Sequence, residues 1–164
     1  MFRDLLAHVS FLSALPSEQF EKEATFVSVY GVGDPSQIGG SFDELVKKAM
    51  MAFEQHTNTR IAGLIPGEIG AEALAFQASY AFGIPVVDSD LVGGRAAPEV
   101  SMDVFTVCGL PLVPVVVMDT DGSTLVIDEP LSGEKIEERA RAFLSAHSSN
   151  GVLVGYGITA GQYA

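Results

Sequence analysis

The chain has 164 residues, which is enough for one domain with a substantial core and too few for two independent domains. Twenty-one acidic residues against nine basic ones give a net charge of −12, so nucleic acid and anionic membrane surfaces would be repelled. The single cysteine, Cys108, excludes an intrachain disulfide framework and fits a reducing, cytoplasmic location.

The first part of the chain has a helical pattern. Residues 2–15 carry apolar side chains at the spacing of an amphipathic helix, and they are too polar for the core of a signal peptide. After Pro16, residues 17–24 are charged and predict a short second helix with Ser17 as its cap. The longest apolar run, residues 110–118, is about half as long as a membrane span. We therefore expect a soluble protein with no membrane partner.

The pattern then changes to strands alternating with helices. Residues 25–32 are rich in β-branched and aromatic side chains and predict a strand, followed by a glycine-rich loop. In that loop an ordinary turn is favoured over a phosphate site, because neighbouring aspartates would repel an anion. Ser41 and Glu44 form a capping box that begins a helix running to about His56.

A β–α–β unit follows: a strand at 60–66, a helix at 69–82 that ends at Gly83, and a strand at 84–88. Residues 101–108 alternate in the manner of a strand, which would make Cys108 a buried, inert thiol. Between residues 113 and 128, two β-branched runs flank an Asp-Gly turn, and this predicts an antiparallel hairpin.

The last part of the chain predicts a helix from Ser132 to about His147 and a strand at 151–158. The tail after Ile158 shows no capping pattern, and we expect the sequence or its assembly to continue. The whole pattern predicts one α/β domain over residues 1–164: a layered domain with a mostly parallel central sheet, helices on its faces and an antiparallel hairpin extension.

Carboxylates gather just past the ends of two predicted strands. Glu68 follows the strand at 60–66, and Asp88 and Asp90 follow the strand at 84–88. Parallel strands end at one edge of a sheet, so these groups should converge in one crevice. Asp88 and Asp90 could hold a divalent cation or act as acid and base. Equally, they could close a turn by accepting bonds from their own backbone.

Arg95 is the cation nearest to this cluster in sequence. It follows Gly93 and Gly94, and its planar guanidinium could clamp a carboxylate or a ring carbonyl of a substrate. Its alternative role is a pair with Glu99 or Asp88 that fixes the loop. The three histidines show no zinc-binding spacing.

Glu68 itself has two interpretations. It could complement the dipole of the following helix, or it could point into the same crevice as Asp88. Glu72, one turn further along the helix, is expected to be solvated.

Several strings in this region resemble a known family. GEIG, GIPVVDSD and RAAPEVSMDVF are similar to the N-terminal domain of the S-methyl thiohydantoin desulfurase family. The matching positions are Glu68, Ile69, Gly70, Gly83, Pro85 to Asp88, Asp90, Gly94, Arg95, Ala96, Pro98, Glu99 and Met102.

The chain departs from that family in four ways. The glycine-rich segment that members usually carry before the first matching strand is not recognisable in residues 1–24. Ala71, Glu72 and Ala73 stand where the family has two glycines and an asparagine, and one residue is inserted before Arg95. The family's second domain does not follow. We therefore expect a homo-oligomer, or a partner domain or subunit that completes the protein.

The resemblance implies hydrolysis of a hydantoin- or thiohydantoin-like ring, a small-molecule substrate, by C–S or C–N cleavage with activated water. It implies Asp88, Asp90 and Arg95 as catalytic residues and Glu68, Gly70, Gly94 and Glu99 as substrate-binding residues. A divalent metal held by Asp88 and Asp90 is part of that expectation; no other cofactor is indicated. The alternative is a non-catalytic binding or assembly subunit that retains the fold. Nucleotide binding rests on fold analogy alone.

Overall fold

The computed structural model describes residues 11–12, 19–33, 42–68, 70–87, 91–92 and 103–163. Its strands are β1 (Phe11–Leu12), β2 (Thr25–Val32), β3 (Ile61–Leu64), β4 (Val86–Val87), β5 (Val115–Asp119), β6 (Thr124–Ile127) and β7 (Gly151–Thr159). Its helices are α1 (Phe42–Thr57), α2 (Glu72–Phe82), α3 (Asp103–Cys108), α4 (Gly133–Ser145) and α5 (Ala160–Tyr163).

Within the described ranges the seven strands form one sheet in the order β1-β4-β3-β2-β7-β5-β6. The pairings from β1 through β4 and β3 to β2 are parallel. Those from β2 through β7 and β5 to β6 are antiparallel. The predicted α/β fold class is confirmed. However, β7 was predicted among the parallel strands, and it runs antiparallel beside β2.

Helices cover both faces of the sheet, which makes three layers. On one face, Leu45, Ala49 and Phe53 of α1 and Ala75 and Ala78 of α2 pack on Val27, Val29, Val116 and Val154. On the other face, Phe105 of α3 and Ile136, Ala140 and Leu144 of α4 pack on Phe26, Val117, Leu153 and Ile158. Burial of these apolar side chains from both sides is the main stabilising contribution to such a sheet.

The β–α–β prediction is confirmed, because β3 and β4 are adjacent and parallel, with Leu64 opposite Val86. Helix α2 ends at Gly83, whose φ of 65° is a left-handed conformation that glycine adopts without steric cost. The hairpin prediction is also confirmed, with β5 and β6 paired around the Asp-Gly turn.

The strand predicted at 101–108 is wrong: Asp103–Cys108 is the short helix α3. In this helix Phe105 is fully buried, whereas Val107 is 84% exposed and Cys108 is exposed. The alternating pattern gave a wrong prediction because a mostly apolar run of six residues fits both the two-residue period of a strand and the 3.6-residue period of a helix. The thiol is therefore at the surface and not in the core.

The helix predicted at residues 2–15 is wrong in the part that the structure describes, because Phe11–Leu12 forms a strand paired with Val86 and Val87. Residues 19–24 contain turns and no helix; Ser17 and Ser41, the predicted caps, lie outside the described residues.

The C-terminal tail does have a capping pattern, contrary to the prediction. The Thr159 hydroxyl accepts from the backbone N–H of Gln162 at 3.2 Å, and the Gln162 side-chain oxygen accepts from the Thr159 N–H at 2.9 Å. No helix in the described part of the chain is long and apolar enough to cross a bilayer.

Candidate functional site

A crevice of about 310 Å³ opens at the carboxyl ends of β2 and β3, beside the first turn of α2. This is the edge at which open α/β sheets bind ligands. Its lining residues are Tyr30, Gly31, Gly33, Glu68, Gly70, Ala71, Ala73 and Leu74.

The register of the two parallel strands brings Tyr30 to this edge. Val27 of β2 lies opposite Leu64, the last residue of β3. Three residues further along the chain in each case, Tyr30 of β2 meets Gly67 in the segment that follows β3. The Tyr30 hydroxyl occupies the space that a Cβ at position 67 would need. Gly67 is thus required by the close approach of a side chain and not by an unusual backbone angle.

Tyr30 is a partly exposed phenol whose protonation is fixed by its surroundings. Burial raises the pKa of its hydroxyl well above the usual range; a hydrogen bond with Ser28 opposes this rise and the charge of Glu68 adds to it. Ser28, fully buried, donates its own hydroxyl to the Ile65 carbonyl at 2.8 Å. The Tyr30 hydroxyl is neutral at physiological pH, as an ordinary phenol is, and it already has Ser28 as a hydrogen-bond partner.

Two glutamates lie at the first turn of α2 and have different roles. Glu68 lines the crevice and is partly exposed; Asp88, which was predicted to share a crevice with it, lies outside the described residues. Glu72 was expected to be solvated. It is partly exposed, and its Oε2 also accepts from the backbone N–H of Gly70 at 2.6 Å, so Glu72 satisfies a backbone donor at the helix start. Two carboxylates at this end of α2 disfavour an anionic ligand there.

Behind Tyr30 lies a second tyrosine, in a strained conformation. Tyr156 packs edge to face against Tyr30 and Phe105, with ring centroids 5.9 Å and 6.0 Å apart. Its φ is 55°, although the residues on both sides are glycines. A non-glycine residue in this region of backbone space costs on the order of 1 kcal/mol or more. A glycine would avoid this backbone cost, so the packing of the Tyr156 ring accounts for a tyrosine at this position.

A β-bulge accounts for the direction of that side chain. Phe26 pairs with Ile158 and Ser28 pairs with Gly155, so two residues of β7 lie opposite Val27 alone. Val154, before the bulge, packs under α1. Tyr156, which is one of the two bulge residues, packs on the opposite face, with α3 and α4.

The hydroxyl of Tyr156 is fully buried and has no hydrogen-bond partner among the described residues. Burial raises its pKa, and the neighbouring Tyr30 and Glu137 raise it further. An unsatisfied buried hydroxyl is destabilising. Tyr156 thus carries two costs, one in its backbone and one in its side chain.

Of the residues predicted for the site, Glu68 and Gly70 line the crevice together. Asp88, Asp90, Gly94, Arg95 and Glu99 lie outside the described residues. The described residues beside them show that β4 ends at Val87, adjacent to β3, and that the Val104 N–H donates to the Leu91 carbonyl at 3.2 Å. Within the described ranges, no group of three or more His, Cys, Asp or Glu side chains could hold a metal ion.

Sequence reasoning missed both tyrosines. Tyr30 was assigned to a strand, and its position at the crevice depends on the register of two strands that lie far apart in sequence. Tyr156 had a local signal that was not used: isolated glycines on both sides of a residue within a strand indicate a bulge.

Comparisons with known proteins show the family and the fold. The family model described as "S-Me-THD-like, N-terminal domain" matches residues 1–129, which confirms the resemblance found in the sequence. A crystal structure of a protein from Chromobacterium violaceum is similar with a TM-score of 0.79 at 20% identity, over 95% of this chain and 44% of that one. The chain thus spans less than half the length of that protein, and the likeness concerns the fold. A comparison with curated proteins gives no match.

Proposed function

Because the chain belongs to the family of S-Me-THD-like N-terminal domains, we propose that it is a hydrolase-type domain acting on a hydantoin- or thiohydantoin-like ring. The observation that carries this proposal is the crevice itself, where a neutral phenol, Tyr30, and a carboxylate, Glu68, line one small cavity at the carboxyl edge of parallel strands. A cavity of about 310 Å³ is at the small end of ligand sites and suits a small ring.

The proposed reaction needs a water molecule and charge stabilisation. Water adds to the C=N carbon of the ring that carries the thioether, and one proton of the water goes to the ring nitrogen. The C–S bond then breaks, the thiol leaves with the second proton, and a ring carbonyl remains. We assign activation of the water to Asp88 or Asp90 and stabilisation of the charge that develops on the ring to Arg95, with Glu99 orienting Arg95. Glu68, Gly70 and Gly94 are assigned to substrate binding. A divalent cation held by Asp88 and Asp90 would lower the pKa of bound water.

The test is release of a thiol from an S-methyl thiohydantoin-type ring, with and without divalent metal and with a chelator. Because Cys108 is exposed and would react with a thiol reagent, the assay uses the Cys108→Ser protein. Turnover that is abolished by Asp88→Asn, with thermal stability unchanged or raised, supports the proposal. If the C108S protein shows no turnover of thiohydantoin, hydantoin or lactam rings under any metal condition, the hydrolase proposal fails.

A second candidate is a non-catalytic binding or assembly subunit, and one observation favours it. Ala71 and Ala73 line the crevice at positions where the resemblance expects a glycine and an asparagine. Their methyl groups cannot supply the polar contacts of an asparagine amide. Binding of hydantoin without turnover would select this candidate.

We also propose that the chain functions in the cytoplasm as a homo-oligomer or with a partner domain or subunit. Exposed apolar side chains support an assembly: Met51 is 47%, Tyr80 56% and Val107 84% exposed. Light scattering at tens of micromolar should show more than one copy per particle. A clean monomer would count against the homo-oligomer.

A further inference from the structure

We propose that the crevice between β2 and α2 selects a ring that carries a small aliphatic substituent, and that this substituent occupies the crevice. The inference rests on the proposed function and deepens it by naming the substrate class. The residues that determine the specificity are Gly31 of β2 and, on the side of α2, Ala71, Ala73 and Leu74, all of which line the crevice.

The first support is that the polar side chains described in the crevice already have partners in the protein. The Tyr30 hydroxyl is hydrogen-bonded to Ser28, whose own hydroxyl donates to the Ile65 carbonyl at 2.8 Å. Tyr30 therefore has no proton left to donate to a ligand. Glu68 also has an interaction partner, and a carboxylate donates no hydrogen bond. A polar substituent that needs a donor finds none on these two side chains.

The second support is that the backbone at the start of α2 is satisfied in the same way. The Gly70 N–H donates to the Glu72 carboxylate at 2.6 Å, and the Ala71 N–H donates to the Glu68 carbonyl at 3.1 Å. A helix start usually leaves such N–H groups free for a polar or anionic ligand. Here these two donors are occupied, so they do not favour a polar or anionic substituent.

The third support is the hydrocarbon surface that remains. The side chains of Ala71, Ala73 and Leu74 carry no polar atom. A Cβ at Gly31 would lie 3.5 Å from Cδ1 of Leu74, so the absence of a side chain at position 31 keeps the space beside this methyl group open. An aliphatic group that enters the space leaves water for an apolar surface, which is favourable. The crevice volume of about 310 Å³ suits a small substituent.

Isothermal titration calorimetry with hydantoin, 5-isopropylhydantoin and 5-(1-hydroxyethyl)hydantoin tests the inference. None of these rings has a C–S bond, so none can undergo the thiol-releasing step. The isopropyl ring should bind about tenfold more tightly than hydantoin, because each buried methylene is worth about fourfold and only part of the group leaves water. The 1-hydroxyethyl group has the same shape with a hydroxyl in place of one methyl. It should lose most of this advantage, because the hydroxyl leaves water without gaining a partner.

The G31A variant makes the test specific to the crevice. The added methyl group would occupy the space beside Leu74 at the distance of an ordinary contact, so the fold should be retained. The advantage of the isopropyl ring over hydantoin should fall from about tenfold to about twofold or less. G83A is the control and should keep the full advantage, since Gly83 lies outside the crevice lining and has open space around it. A purely structural effect of either substitution would not change the ratio of the two affinities.

A73N is a second, independent variant. Ala73 is exposed in the first turn of α2, so an asparagine should be accommodated there, and its amide would place a polar group against the aliphatic substituent. The advantage of the isopropyl ring should again fall, by about threefold. If G31A fails to fold by circular dichroism, the comparison of A73N with the wild type still decides.

The outcomes separate the inference from the proposed function. If the C108S protein turns over its substrate but the three hydantoins bind with equal affinity, the inference is overturned and the function stands. It is also overturned if G31A and A73N keep the full advantage, or if 5-(4-aminobutyl)hydantoin, whose cation Glu68 would attract, binds more tightly than the isopropyl ring. Preferred binding of the isopropyl ring without turnover of any ring supports the inference, and the hydrolase proposal then fails. If no ring binds and none is turned over, both fail.

Discussion

The sheet has a parallel half (β1, β4, β3 and β2) and an antiparallel half (β7, β5 and β6). A carboxylate at the end of a strand has a different role in each half. In the antiparallel half, Asp119 ends β5 and is fully buried. Its Oδ1 accepts from the backbone N–H groups of Asp121 and Ser123 at 2.9 and 2.7 Å. In the parallel half, Glu68 follows β3 and lines an open crevice with Tyr30.

The difference follows from topology. An antiparallel neighbour is reached by a tight turn, and the turn uses the carboxylate to satisfy its own backbone. A parallel neighbour requires a crossover helix, so the strand end stays open and the side chains after it face a ligand space. A carboxylate is therefore structural in one half, as in Asp119, and a candidate for function in the other, as in Glu68.

The largest expected effect is in the antiparallel half. Gly151 of β7 lies against the carbonyl of Met118, and a Cβ there would overlap both this backbone and the Leu144 side chain. Gly151→Ala should lower the free energy of unfolding by about 3 kcal/mol, measured by urea denaturation. Gly83→Ala is the control, since Gly83 has open space around it and a φ of 65°, and should cost about 1 kcal/mol. Equal losses in the two variants would contradict the tight β5–β7 packing.

Asp119→Ala should remove two backbone contacts of the hairpin turn and lower the free energy of unfolding by about 2 kcal/mol. Asp119→Asn keeps an acceptor oxygen and should lose less. Hydantoin affinity should be unchanged in both variants if the antiparallel half has no part in binding. Weakened hydantoin binding in a folded Asp119 variant would contradict the claim that the antiparallel half has no part in binding.

Gly67→Ala should act on the crevice. The added methyl group would displace the Tyr30 hydroxyl, so we expect a loss of about 1 to 2 kcal/mol in stability and weaker hydantoin binding. Gly83→Ala is the control, because Gly83 lies outside the lining of the crevice and has open space around it, so it should lose about 1 kcal/mol of stability and keep the wild-type affinity. Wild-type affinity in G67A would show that the position of Tyr30 does not matter.

Alkaline pH should destabilise the fold through its two buried phenols. Their pKa values are raised in the folded state, so above about pH 10 the unfolded chain releases protons that the folded chain retains. Stability is fully present below that pH and falls as the pH rises. Tyr156 should lower the free energy of unfolding by up to about 1.4 kcal/mol per pH unit. The free energy of unfolding of Y156F should therefore fall correspondingly less between pH 10 and 11. An identical slope in Y156F would contradict the burial of this hydroxyl.

The smallest expected effect is that of Y156F at pH 7. Removing a buried hydroxyl without a partner should leave stability unchanged or raise it by about 1 kcal/mol, measured by thermal denaturation. A clear loss of stability would mean that the hydroxyl is satisfied in solution.

How much the sequence predicted depended on how local each signal was. The hairpin at Asp119 to Gly122 and the helix end at Gly83 are local and were predicted correctly. Glu68 was placed at the right edge because the β–α–β rule fixes where parallel strands end. Phe105 and Cys108 were assigned to a strand because six residues do not distinguish the two periods. Tyr30 was missed because its role arises from the register of two strands that lie far apart in sequence. Tyr156 was missed although the glycines on both sides of it are a local signal of a bulge.

The central claim, that the open edge of the parallel half is the ligand site, is tested most directly by ¹H–¹⁵N chemical-shift mapping with hydantoin. The account predicts shifts in the backbone amides of Gly31, Gly33 and Gly70, which line the crevice, and none in the turn from Asp119 to Ser123. Shifts confined to that turn, or no shifts at millimolar hydantoin, would contradict it.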